Sequence, residues 1–379
     1  MLSSLAADRA HVTALEAQIL DLENTLSALR LEQAQAQSRL DSYKYPVLTL
    51  PTEIVTEIFL CFPPPYPSCS WLAGTLSPTS LAHICREWRQ IALSIPLLWR
   101  AINLSNDGTP LEQRIHICDL WLKWSHSWSL SIEFDDFGDG LAATSKVMEL
   151  IALYRPHLEH LKLDIFIDKI DLGAIEGSMP LLRHLDLDLK SVDFSYNTVS
   201  LRELPLLRSV VLSRTASRCA ILPWAQLTSL VMNKVYLDEC VPILQQTSNL
   251  IHCELLRLYD PPDYGSVTTL TCLESLVLKS TSSQYTAEYL QSFITPALQR
   301  LIISEGLLGH EPIRSLTDFI SKSGAKLQEV HIAGRRKVPK NSYREALQSV
   351  PRLSSSQREL SGRVGEDDSE SESHNDMEG

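Results

Sequence analysis

Two hydrophobic periods divide this chain. Residues 2 to about 43 follow a heptad: Leu5, Val12, Ile19, Leu26 and Leu40 hold one position, and Leu15, Leu22, Leu29 and Ala36 hold its partner. No Gly or Pro interrupts before Pro46. The spacing predicts one long helix with an apolar seam. β-Branched residues at the first position with Leu at the second favour a parallel two-stranded coil. Asp8 and Gln33 interrupt the seam, so the coil weakens toward its ends. A homodimer through residues 5–40 is one expectation; a solvated helix docked on its own chain has the same pattern.

From Leu158 the period changes. The unit Leu-x-x-Leu-x-Leu occurs at Leu158-Leu161-Leu163, Leu182-Leu185-Leu187, Leu207-Val210-Leu212 and Leu227-Leu230-Met232. It recurs at Leu250-Cys253-Leu255, Leu273-Leu276-Leu278, Leu298-Leu301-Ile303 and Leu327-Val330-Ile332. Successive units are 24, 25, 20, 23, 23, 25 and 29 residues apart, near the leucine-rich-repeat range of about 20 to 29. Helical patterns lie between them at Ala143–Tyr154, Cys240–Thr247, Ala287–Phe293 and Ile313–Ser323. Each unit therefore reads as strand, turn and helix, and stacking is what buries its apolar face. A reliable turn Asn is missing, so the repeat is irregular. Ahead of it, Leu111–Trp124 reads as a helix and Trp128–Phe134 alternates as a strand.

Between the two periods lies a short, dense apolar stretch. Pro51, Thr52 and Glu53 favour a helix start; Ile54, Ile58 and Phe59 follow at helical spacing. Leu81, Ile84, Cys85, Trp88 and Ile91 then form a second helical stripe, ended by Pro96 and followed by Leu97, Leu98 and Trp99. So small a module cannot bury all of this alone, and leftover apolar surface marks a partner site. The order Leu50-Pro51-x-Glu53-Ile54-x-x-x-Ile58-Phe59, Cys85-x-x-Trp88-Arg89, Pro96-x-Leu98-Trp99 resembles an F-box of the fungal type. The likeness covers roughly a sixth of the chain, and the proline-rich insert from Cys61 to Pro78 departs from a compact F-box. The resemblance implies a Skp-type adaptor and a cullin–RING ubiquitin ligase as partners. Carried over, Leu50, Pro51, Ile54, Ile58 and Phe59 face the adaptor. Leu81, Cys85, Trp88, Ile91, Pro96 and Trp99 partly pack the module and partly finish the contact. The repeats likewise resemble irregular F-box-associated leucine-rich repeats.

The expected architecture is α/β. A coiled-coil helix (1–44) and a small all-α module (45–104) precede a helix and strand cap (105–157), an irregular solenoid (158–350) and a disordered acidic tail (351–379). Seven acids without Lys or Arg follow Val364; the net charge is −12, and −5 without that tail, which does not favour nucleic acid. The basic run Gly334–Lys340 reads as a solvated solenoid end, with a weak nuclear-import signal as the alternative. No run is long enough for a membrane span, and charges among the first residues argue against a secretory signal. Eight scattered cysteines read as reduced thiols in a cytoplasmic or nuclear protein.

Phosphate-loop, zinc-protease and serine-hydrolase motifs are absent from the sequence. His157 and His160 flank a repeat Leu and read as surface rather than metal ligands. Asp186 and Asp188 share a face, where two carboxylates can do acid–base work, yet on a repeat strand they decorate an open sheet. Neither enzyme chemistry, cofactor nor metal is expected. His160, Lys162, His184, Asp186, Asp188, Asn233, Lys279 and Arg300 are instead placed on that open face, as a surface for a protein substrate of unknown identity.

Overall fold

The computed structural model describes residues 2–42, 49–106, 108–136, 141–166, 172–191, 198–259, 267–280, 289–334 and 338–355. The start of the 45–104 segment at Tyr45–Leu48, Arg335–Lys337 of the basic run and the acidic residues from 356 lie outside these. The chain divides into two compact units, Met1–Ile58 and Phe59–Gly379.

In the first unit a single helix, α1 (Leu2–Ser42), occupies the heptad segment. At about 1.5 Å per residue it is roughly 60 Å long. All its described side chains but Ala36 are exposed. Helix α2 (Thr52–Leu60) starts after Pro51, whose carbonyl accepts from the Ile54 amide at 3.0 Å.

The second unit is built on one sheet of twelve parallel strands. They are β1 (Ser70–Trp71), β2 (Ala101–Asn103), β3 (Leu130–Asp135), β4 (Leu158–Phe166), β5 (His184–Lys190) and β6 (Ser209–Ser213). β7 (Ser229–Asn233), β8 (His252–Leu256), β9 (Ser275–Leu278), β10 (Arg300–Ser304), β11 (Glu329–Ala333) and β12 (Arg352–Ser355) complete it. Each strand pairs with its neighbours in this order. Leu161, Leu185, Val210, Leu230, Cys253, Leu276, Leu301 and Val330 lie side by side in register. The column two residues on, Leu163 to Ile332, is equally buried. Period-two alternation sends these side chains to one face, and stacking closes them into a continuous core compatible with a solenoid. The columns extend backward through Ile132 to Ile102, so the sheet begins inside segment 45–104.

Helices α3 (Pro78–Ile84), α4 (Arg86–Leu93), α5 (Leu111–Trp124), α6 (Leu141–Tyr154), α7 (Arg214–Cys219), α8 (Leu237–Leu244), α9 (Pro312–Ser323) and α10 (Lys340–Ala346) lie between strands. Segment 45–104, expected to be all α, holds strands β1 and β2, and three further expectations are corrected. The second stripe is two helices: Cys85 is extended (φ −155°, ψ 171°), and its sulfur caps α4 by accepting from the Trp88 amide at 3.4 Å. The described part of Ala287–Phe293 is a 3-10 turn, Tyr289–Ser292, leading into a short strand. Tyr289, Leu290 and Phe293 are all buried there, and the Tyr289 hydroxyl donates to the Tyr259 carbonyl at 2.8 Å. Finally, Arg352–Ser355, expected in the disordered tail, forms β12, because Leu353 aligns with the core column at Val330.

Candidate functional site

Two surfaces concentrate the residues singled out by sequence. In the first unit, Leu50, Ile54 and Ile58 are 38%, 49% and 51% exposed, and Pro51 is exposed beside them. Spacing of four along a helix puts Ile54 and Ile58 on one face. Such half-exposed apolar side chains keep roughly half of their burial energy in reserve.

Phe59, expected on that outward face, is buried, with its ring 5.0 Å from Trp88 in an edge arrangement. Leu81, Ile91 and Trp99 are buried too, while Cys85, Trp88 and Pro96 are partly covered. Trp99 has no free surface: its Nε1 donates to the Ala92 carbonyl at 3.0 Å, and its ring meets Trp121 and Trp124 at 5.3 and 4.8 Å. It is a joint between the end of α4 and α5. Ile84, at 59% exposure, takes the outward position in this segment.

The second surface is the open face of the sheet. Alternation places Glu133, Lys162 and Asp186 in one row across β3, β4 and β5. His160 and His184 neighbour each other in the adjacent row, and Asp188 lies beside Asp164. Lys162 pairs with Glu133. Farther along, the central row turns apolar at Val211 and Val231, with Asn233 between Ser213 and Leu256. Lys279 follows the end of β9, and Arg300 sits beside Glu329 on β10 and β11, 3.4 Å from its carboxylate. The structure therefore brings together His160, Lys162, His184, Asp186 and Asp188 on β4 and β5, while Asn233 stands alone on β7 and Lys279 and Arg300 lie farther along the sheet.

Burial sets the charge states of the cluster on β4 and β5. It pushes the Asp186 carboxyl up to about 6; Lys162 opposes this, and Asp188, Glu133 and Asp164 add to it. It also holds the His160 and His184 imidazoles below their usual range. For Lys162, burial pulls downward, but the hydrogen bond and charge of Glu133 outweigh it and the ammonium is held up.

Sequence reasoning missed what roofs this cluster. The proline-rich insert lies on the open face. Tyr66 donates its hydroxyl to Glu159 at 3.0 Å, sits edge-on to His160 at 5.4 Å, and is covered by the Arg100 guanidinium at 3.8 Å. The Ser131 hydroxyl donates to the Pro67 carbonyl at 2.7 Å, and Cys69 Sγ lies 3.3 Å from the Ser131 Oγ. Between insert and strands is a recess of about 150 Å³, lined by Pro67, Cys69, Ser131, His160, Lys162 and His184 among others. The signal for Ser131 and Glu133 was the alternation of Trp128–Phe134, which continues the repeat backward. No local signal marked Tyr66 or Cys69.

The chemistry available here is binding. Burial pushes the Cys69 thiol up to about 11, so it is no thiolate at neutral pH. Ser209 Oγ lies 3.0 Å from His184 Nδ1, but among the described residues no carboxylate bonds the other ring nitrogen to orient it as a catalytic base. Among the described residues no group of three or more His, Cys, Asp or Glu could hold a metal ion, and no helix is long and apolar enough to cross a membrane. No family model matches the chain, and neither does any curated protein.

Proposed function

We propose that this chain is the substrate-recognition subunit of a Skp–cullin–F-box ubiquitin ligase. Its mechanism is proximity: one surface docks the Skp-type adaptor, and the open face of an irregular leucine-rich-repeat-like solenoid holds a substrate, raising the local concentration of its lysines at the ligase. The observation that carries this reading is the outward apolar face of Leu50, Ile54 and Ile58, at the positions where the F-box resemblance puts adaptor contacts. Phe59 and Trp99 act indirectly, by fixing the supporting helices. The test is co-purification with a Skp-type adaptor. Ile54→Asp with Ile58→Asp should abolish recovery while the thermal midpoint stays within about 1 °C, because substitutions at exposed sites cost little. Equal recovery by wild type and variant, or none by either, removes the assignment.

A second reading is favoured by a separate observation. Along α1, Leu5, Val12, Leu15, Ile19, Leu22, Leu26, Leu29 and Leu40 are all between 43% and 70% exposed. Here the chain is an interaction scaffold dimerised through this seam. Light scattering of the full chain reads its mass directly. Leu22→Asp with Leu29→Asp should halve that mass, and a wild-type monomer at tens of micromolar would end this reading.

A further inference from the structure

We infer that the recess between the Pro67–Cys69 turn and strands β3–β5 is a subsite for one neutral aromatic side chain of a bound polypeptide, a tyrosine in first place. The inference deepens the reading of the open face as a capture surface and rests on it.

The recess is built rather than incidental. Three independent links tie the insert to the sheet: Tyr66 to Glu159, Arg100 over the Tyr66 ring, and Ser131 to the Pro67 carbonyl. They connect segments up to 93 residues apart. Its volume of about 150 Å³ is that of a cavity known to accept a benzene ring. A lysine or arginine head would fit as well, so charge and wall chemistry decide between them.

The walls favour a ring. His160 and His184 line the recess, and Tyr66, beyond its lining, backs His160 edge-on at 5.4 Å and an interplanar angle of 83°. His160 and His184 stand 6.0 Å apart. A third aromatic ring entering between insert and strands extends this cluster at the 4.5–7 Å spacing that offset and edge pairs prefer. Charge favours a neutral guest. Glu133 is matched by Lys162, and Glu159 by Arg183. Both imidazoles are held toward neutrality by burial. A free anion meets Glu133, and a free cation meets an ammonium already paired. Among the residues that line the recess, neither gains an uncompensated partner that would repay its desolvation.

Hydrogen bonding adds the preference for a phenol. Neither His160 ring nitrogen has a hydrogen-bond partner among the described residues. His184 uses Nδ1 toward Ser209, which leaves its Nε2. A phenolic hydroxyl both donates and accepts, so it can satisfy either imidazole in either tautomer. Phenylalanine would occupy the same space and leave those nitrogens unpaired.

The test uses the full chain with isotope-labelled histidine, titrated with N-acetyl-tyrosinamide, N-acetyl-phenylalaninamide, N-acetyl-leucinamide and N-acetyl-argininamide. His160→Gln and His184→Gln identify the two ring signals. The expected result is saturable movement of both signals with the tyrosine probe, about fivefold tighter than with leucine, and weaker binding of the phenylalanine probe. No saturable movement of either ring, or leucine or arginine binding as tightly as tyrosine, overturns the proposal. The ranking is read on the wild-type chain, so a misfolded variant cannot decide it. Adaptor co-purification is a separate measurement, and each reading can fail without the other.

Discussion

Asp186 carries a measurable penalty, and replacing it with the isosteric amide should release that penalty. Its carboxyl lies in the row between Lys162 and Val211 on the open face. Burial pushes it up to about 6 from 3.8, despite the attraction of Lys162. A folded-state value above the unfolded one means that the folded chain holds the proton more tightly. The ionisation cost is therefore absent below about pH 4, grows as pH rises toward 6, and is complete above that. At full displacement it amounts to about 3 kcal/mol; solvent reaching the partly covered carboxylate reduces this to about 1–2 kcal/mol. Lys162 keeps Glu133 as its partner, so Asp186→Asn leaves no orphaned ammonium. The variant should be more stable than wild type by about 1–2 kcal/mol at pH 7.5, and the two should converge near pH 4. Urea midpoints measured side by side at half-unit steps from pH 4 to 8 isolate this one group, because every other titration is common to both chains. A constant difference across that range, or a less stable variant at pH 7.5, would falsify the argument and mean that Lys162 outweighs burial.

Two further outcomes follow from the same geometry. Trp99→Ala removes a ring with no exposure, two aromatic partners and one hydrogen bond, so it should cost about 3–5 kcal/mol in denaturant unfolding; a loss below about 1 kcal/mol would show that the joint is dispensable. Tyr66→Phe deletes only the hydroxyl that donates to Glu159 and should cost about 1 kcal/mol, with faster proteolysis in the Cys61–Pro78 insert and no change in adaptor recovery. Unchanged cleavage there would mean that the other links suffice to hold the insert down.

What the sequence disclosed, and what it hid, follows from the range of each interaction. The Leu-x-x-Leu-x-Leu columns were legible because burial repeats the same choice eight times in phase, and every unit falls on a strand beside its neighbour. Helix α1 was legible for a similar reason: its heptad needs only local spacing. The strands Ser70–Trp71 and Ala101–Asn103 were not, since two or three residues carry no readable alternation. Nor could spacing tell that Phe59 turns inward while Ile58 stays out, because both are apolar neighbours on a nine-residue helix. The break at Cys85 was hidden because its thiol continues the apolar stripe while its backbone leaves the helix. On the open face, side-chain direction was readable from alternation, but the recess was not, because it depends on Tyr66 reaching Glu159 across 93 residues.

The position of the tryptophan cluster has a mechanical consequence. A stack of parallel strands needs its end covered, since the terminal repeat has no neighbour to bury its apolar face. Here the end strands β1 and β2 are short, and the chain around them carries the buried Trp99 that joins α4 to α5. Within the Phe59–Gly379 unit, then, the segment that presents Ile84 outward also contributes to the end of the sheet. Its surface cannot shift freely without disturbing the Trp99 joint.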